Sequence, residues 1–226
     1  MEKLLSNQII KQIKSEGFYI LRNFLDNNKI DDLKNSFNKF LANENYLWND
    51  STGSDSRIFG IDLIDKKFRK IFETDLLNSV FENYISKNSK YSFIMANKVV
   101  YKNGNLGSGG GWHRDTFFQK QLKFIVYLSD VNEKNGAFEY IPKSHFKSSK
   151  VVDLFTRLSQ KNIRRYADKN YKKAIKLTGK KGDLIIVDTS GVHRGSPIEN
   201  GTRYALTNYL SHKPFSQGVQ NQLVKV

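Results

Sequence analysis

Near residue 90 the hydrophobic periodicity of the chain switches from that of helices to that of strands, and no other feature constrains its architecture as much. Before the switch, residues 3–15 place Leu4, Leu5, Ile9, Ile10 and Ile13 on one helical face, and Gly17 ends the run. Phe18–Leu21 reads as a short strand. Asp26 or Asn27 can cap a second helix over about 28–42, with Ile30, Leu33, Phe37, Phe40 and Leu41 inward. Residues 49–57 read as a polar turn, and short helices follow near 66–73 and 75–86. After the switch, strands are expected at 91–101, 122–129, 137–141, 174–177, 183–187 and 202–210, with Asn135-Gly136 as a turn signal and helix over about 151–167. Helices first and short strands after them indicate an α+β domain with a mainly β core, a sandwich or barrel, flanked by N-terminal helices. At 226 residues one domain is expected: a helical flank over 1–90, a core over 91–212, and a basic helical insertion over about 145–181.

Composition removes several classes of protein. Cysteine is absent, which excludes a disulfide scaffold, a thiol nucleophile, an iron–sulfur cluster and a Cys-ligated zinc site. No apolar run approaches the ~18 residues of a membrane span, and the N-terminus has no signal-peptide core, so a soluble cytoplasmic protein is expected. The net charge of +15 invites a nucleic-acid reading, but residues 145–181 alone carry +10 of it. That segment is either a solvated surface or one that attracts anions.

Four histidines are present: His113, His145, His193 and His212. In Trp112-His113-Arg114-Asp115 the imidazole and carboxylate are two residues apart, so an extended backbone points both to one side. Alone this is as consistent with a surface hydrogen bond. A second element, Asp188-Thr189-Ser190-Gly191-Val192-His193, follows an apolar strand, and Arg203 lies ten residues further on. Two His and one carboxylate make a facial triad with open positions for Fe(II), and an Arg on the adjoining strand offers a bidentate partner for a carboxylate.

Four segments in order resemble the phytanoyl-CoA dioxygenase-like branch of the Fe(II)/2-oxoglutarate oxygenases. They are Glu16-Gly17-Phe18-Tyr19-Ile20-Leu21-Arg22-Asn23-Phe24-Leu25, Trp112-His113-Arg114-Asp115, the turn Asn135-Gly136 running to Pro142-Lys143-Ser144-His145, and Gly182–Asp188 leading to His193 and Arg203. Lys143 stands where the family usually has Gly, and the chain is shorter than many members, which implies a reduced lid. The resemblance implies a double-stranded β-helix, or jelly roll, similar to cupins. It implies Fe(II) on His113, Asp115 and His193, 2-oxoglutarate paired with Arg203, dioxygen as the oxidant, and hydroxylation of a small or carrier-linked metabolite with release of succinate and CO2. The carboxylate of Asp115 argues against a halogenase.

Four further residues are candidates for the same pocket. Lys98 shares a strand face with Ala96 and Val100; if that face is interior it reaches an anionic co-substrate, and otherwise it is a strand-edge lysine. Tyr127 shares a face with Ile125 and either contacts 2-oxoglutarate or fills core. Trp112 lines the pocket or packs, and Arg57 is a candidate substrate contact in a lid-like stretch. Gly107–Gly111 reads as a flexible loop at the pocket mouth, and His145 as structural. Lys147, Lys150, Arg157, Arg164 and Arg165 are expected to attract an anionic substrate. Tyr209, where AlkB-like demethylases carry a second Arg, argues against nucleic acid. The competing classes are a non-catalytic jelly-roll binding module and a zinc hydrolase on the same ligands.

Overall fold

The computed structural model describes residues 2–88, 90–116, 119–146 and 167–225. Helix α1 (Glu2–Glu16) buries Ile9, Ile10 and Ile13, but Leu4, read as inward, is exposed in its first turn. The helix closes with Gly17 N–H donating to Ile13 O at 2.9 Å. Asp26 caps α2 (Asn27–Leu41) by accepting from Lys29 N–H at 2.9 Å, which satisfies one of the orphan amides of a first turn. The short helices α3 (Ile61–Ile64) and α4 (Lys67–Lys70) and the longer α5 (Asp75–Tyr84) complete the helical layer.

Among the described residues ten strands form two sheets. They are β1 (Phe18–Leu21), β2 (Trp48–Asn49), β3 (Asp55–Phe59), β4 (Tyr91–Val100), β5 (Leu122–Tyr127), β6 (Phe138–Tyr140), β7 (Ile175–Leu177), β8 (Leu184–Asp188), β9 (His193–Gly195) and β10 (Thr202–Ser211). The larger sheet runs β1-β8-β5-β10-β4-β3-β2 and the smaller β7-β6-β9, with every named pairing antiparallel. The helices pack on one face of the larger sheet, where Ile94, Ala96, Phe124, Val126, Ile186 and Leu206 join Ile9, Leu33 and Phe37 in one core. The alternate residues, Ile125, Tyr127, Ile185, Val187 and Ala205, face Phe138, Tyr140 and Leu177 of the smaller sheet. Two facing sheets with helices on one side form a jelly roll. A central strand such as β5, covered on both faces, is buried throughout, so its apolar run shows no simple alternation.

Two elements were not legible. The polar stretch 49–57, read as a turn, contains part of β2 and most of β3. Its turn is organised by the Asp50 carboxylate, which accepts from Ser54 N–H at 2.8 Å and Asp55 N–H at 3.0 Å. The strand looked like a loop because Asp55 and Arg57, which point the same way, are polar while sitting on the inner face of the sheet. The three-residue β9 was also unread, being too short to show a period. Residues before 90 thus supply three strands as well as the helical layer. The helix expected over 151–167 lies almost wholly outside the described residues. No helix among the described residues is long and apolar enough to cross a membrane.

Candidate metal centre

The site begins with a backbone pair. His113 N–H donates to His193 O at 2.9 Å and His193 N–H donates to His113 O at 2.9 Å. This reciprocal antiparallel bridge extends the smaller sheet beyond β9 and sets both side chains on one face. The imidazole centroids are 4.3 Å apart. Asp115, two residues on in extended backbone, returns to the same face, with its N–H held by Thr189 O at 3.0 Å.

Each imidazole is oriented from behind. His113 Nδ1 lies 2.8 Å from Gly111 O and His193 Nδ1 lies 2.9 Å from Gly191 O. A carbonyl only accepts, so each Nδ1 carries the proton and each Nε2 presents its lone pair inward. The two Nε2 atoms stand 3.8 Å from Oδ1 and Oδ2 of Asp115 respectively. One ligand atom from each of the three residues lies within 4.8 Å of the others. Burial, reinforced by His113 and Lys123, keeps His193 well below the usual imidazole pKa despite the opposing pull of Asp115. It is therefore neutral near pH 7, the form that binds metal. Burial works against the Asp115 charge, but Lys123 and the two imidazoles outweigh it and hold its carboxyl below the usual range. His193 Nε2 is buried with no hydrogen-bond partner, a polar atom that a cation at this point would satisfy. The donor set fits a divalent transition metal with open coordination positions.

The surrounding residues fix these three. Arg114, on the opposite face of its strand, is buried and donates through Nη1 to Ser144 O at 2.5 Å and Ser190 O at 2.6 Å. It thereby ties the turn before β9 to the Pro142–His145 turn. Asp188 accepts from Ser190 N–H at 2.9 Å and from Tyr84 Oη at 2.6 Å. It serves the fold of this turn and is not in the triad. The glycine loop 107–111, read as flexible, is a built support: Ser108 O accepts from Gly195 N–H at 2.9 Å. Gly109 has φ +91°, and a Cβ there falls 2.4 Å from His113 Cε1. Gly109→Ala is therefore expected to displace the His113 ring and weaken metal binding by about tenfold or more, measured by titration with Zn(II) or Fe(II).

A cavity of about 690 Å³ opens over the triad. Its floor is the inner face of the larger sheet, and the strand register orders it. Arg203 pairs with Val99; the next rung holds Ala205, Asn97 and Tyr127, then come Thr207, Met95 and Ile125, and last Tyr209, Phe93 and Lys123. Arg203 is 5% exposed and donates through Nη1 to Gly136 O, while its Nε has no hydrogen-bond partner. Burial presses its pKa below the ordinary arginine value against the pull of Tyr127 and Asp55, yet a guanidinium remains cationic at any working pH. A buried cation left this open invites a carboxylate.

Of the residues expected from the sequence, His113, Asp115 and His193 meet, and Arg203, Tyr127, Trp112 and Arg57 line the same cavity. Lys98 does not and is corrected: its neighbour Asn97 faces inward, while Lys98 Nζ sits 5.6 Å from the Tyr204 ring on the helix-covered face. Strand β4 offers two alternating faces, and the lysine fell on the one whose other members, Ile94 and Ala96, belong to the helical core. The Tyr127 phenol is occupied, donating to Leu177 O at 2.8 Å and accepting from Phe138 N–H at 3.0 Å, so it braces one sheet against the other. Arg57 is on β3 rather than in a lid, and its Nε and Nη2 both bind Asp55 Oδ2, at 2.9 and 2.6 Å. Trp112 carries the Arg194 guanidinium 4.5 Å from its ring. His145 Nε2 meets Lys14 O at 3.2 Å, away from the triad. Lys147, Lys150, Arg157, Arg164 and Arg165 lie outside the described residues.

Lys123 was missed. Its ammonium is 2.6 Å from Asp115 Oδ2 and 4.3 Å from the Tyr209 ring centroid. The alternation that set Ile125 and Tyr127 on one face, continued back by two residues, would have found it.

Comparison with known proteins places this geometry in context. The profile of the phytanoyl-CoA dioxygenase (PhyH) family matches residues 13–203. A phytanoyl-CoA dioxygenase domain-containing protein 1 homolog of Dictyostelium discoideum is 24% identical, the alignment covering 93% of this chain and 98% of the relative. Among solved structures, the epimerase SnoN in complex with Fe3+, alpha ketoglutarate and nogalamycin RO superposes with a TM-score of 0.70 at 13% identity, over 94% of this chain and 87% of that one. The non-heme alpha ketoglutarate dependent carbocyclase SnoK, from nogalamycin biosynthesis, gives a TM-score of 0.67 at 14% identity, over 98% and 92%. At such identities the structural likeness carries the fold.

Proposed function

This chain belongs to the phytanoyl-CoA dioxygenase family, and on that premise we propose that it is a non-haem Fe(II)/2-oxoglutarate-dependent dioxygenase that hydroxylates a small or carrier-linked, anionic metabolite, working as a single catalytic domain. The observation that carries this is the convergence of three ligand atoms, with both Nδ1 atoms engaged, on a cavity that also holds the open guanidinium of Arg203.

His113, Asp115 and His193 would hold the ion. A ferrous ion there supplies dioxygen chemistry coupled to oxidative decarboxylation of 2-oxoglutarate to succinate and CO2. The protein's part is orientation. Gly111 O and Gly191 O fix the imidazole tautomers, and Arg114 secures the turn from which β9 starts. Arg203 receives the distal carboxylate of 2-oxoglutarate as a bidentate partner, and Tyr127 supplies wall beside it. Asp55 keeps Arg57 engaged, so of the two arginines Arg203 is the one left to take that carboxylate.

The test is direct. Under anaerobic conditions Fe(II) and 2-oxoglutarate together are expected to give a visible charge-transfer absorbance that neither gives alone. Admission of air is then expected to release succinate. Absence of both the absorbance and any Fe(II)-dependent succinate ends this reading.

A further inference from the structure

Lys123 is a buried lysine that the proposed reaction does not use. Its side chain is 6% exposed, deep in the cavity, on the rung farthest from Arg203. Tyr209, directly opposite Lys123, is six residues along β10 from Arg203, roughly 20 Å of strand. Arg203 and Lys123 therefore stand on opposite end rungs of the cavity floor, and the triad touches Lys123 through Asp115. Arg203 accounts for the co-substrate. A second buried cation needs a second explanation, because burying an ammonium is costly unless it is paired.

Asp115 answers only in part. An ammonium has three donors, and the pair with Asp115 Oδ2 at 2.6 Å uses one. Tyr209 takes a second through its hydroxyl, with its ring centroid 4.3 Å from Nζ, and the third is left for another partner. Lys123 lines the cavity together with Gln121 and Thr207. One wall nearby is aromatic: Phe93 stacks on Tyr209 with centroids 4.6 Å apart, and Phe215 meets Phe93 edge-on at 4.8 Å. Charge balance gives the same direction. Three cations, Arg57, Arg203 and Lys123, face two carboxylates, Asp55 and Asp115. A ferrous ion and a 2-oxoglutarate dianion cancel one another, so one positive charge stays uncompensated in the loaded cavity.

We infer that Lys123 is a substrate-recognition residue, and that the substrate is a monoanion, a carboxylic acid on an apolar or aromatic body, whose carboxylate pairs with Lys123 while the body lies among Phe93, Tyr209 and Phe215. This rests on the proposed oxygenase reading and assigns the substrate class of that same site.

The experiment uses the full-length protein loaded with Ni(II) and 2-oxoglutarate, and loading is verified first by calorimetry. Failure to load counts against the oxygenase reading, whereas the comparison of acids with amides in the loaded protein bears on Lys123 alone. The probes are arylalkanoic acids and C6–C10 aliphatic acids, each beside its primary amide, with binding measured by ligand-observed NMR. Wild type is expected to prefer at least one acid over its amide by about tenfold or more, the worth of a charge-assisted contact. Lys123→Arg is expected to keep the preference and Lys123→Gln to lose it. A crystal structure of the wild type with the tightest acid, which depends on no variant, is expected to show the carboxylate within hydrogen-bond reach of Lys123 Nζ. A panel with no acid-selective binder, an acid preference that survives Lys123→Gln, or a carboxylate seated elsewhere in that crystal overturns the inference.

Discussion

His193→Ala is expected to abolish Fe(II) binding and reduce succinate formation by more than ~100-fold while leaving the fold in place. Losing a partner behind a metal ligand commonly costs 10–100-fold, and losing the ligand itself costs more. The fold should survive because the bridge to His113 is made by backbone groups, which alanine retains. The imidazole packs on Phe138, with ring centroids 5.2 Å apart, at the wall of an existing cavity. Truncation there enlarges a space rather than opening a new void in solid core, so the stability cost sits at the low end for buried residues. Calorimetry checks both parts. The melting temperature without metal should change little, and the rise that metal produces in the wild type should disappear. Loss of the metal-free melting transition would show that His193 is needed for folding and would leave its role as ligand unsupported.

Arg203→Met should separate stability from activity. Truncating one partner of a buried charge pair costs 2–5 kcal/mol or more, so the KM for 2-oxoglutarate should rise at least ~30-fold. Yet the unliganded protein should be no less stable and can be more so. Its guanidinium is buried, donates to the Gly136 carbonyl, and leaves Nε unsatisfied, so an apolar side chain of similar length removes a desolvation penalty. Two measurements decide: the melting temperature of the unliganded variant, and its shift on adding 2-oxoglutarate. Arg203→Lys should fall between, since an ammonium cannot fork onto a carboxylate. A lower melting temperature with an unchanged KM would make Arg203 a structural residue.

The elements with a strong period were legible: α1, α2 and most strands after residue 90 lie within a few residues of their expected bounds. The convergence of His113 and Asp115 was legible too, because spacing by two in extended backbone leaves little freedom. What failed has a common cause. Where one face of a strand lines a polar cavity, hydrophobicity no longer marks the inner face. So β3, with Asp55 and Arg57 inward, looked like a loop, and on β4 the inward residue is Asn97 rather than Lys98. The same rule hid Lys123, a charge in the middle of an apolar run. Only the alternation carried back from Tyr127 and Ile125 marks it as inward, opposite Tyr209. Arg114 was passed over because its role depends on two carbonyls, of Ser144 and Ser190, that are distant in sequence.

The reciprocal bridge between His113 and His193 joins points 80 residues apart in the chain. Bringing such ends together costs loop-closure entropy that grows with the logarithm of their separation. Here the bonds that join them, His113 N–H to His193 O and His193 N–H to His113 O, are made by backbone groups alone, beside the β6–β9 pairing. The metal enters as a tenant of a finished building rather than as its keystone, so a chelator should empty this site without unfolding the chain.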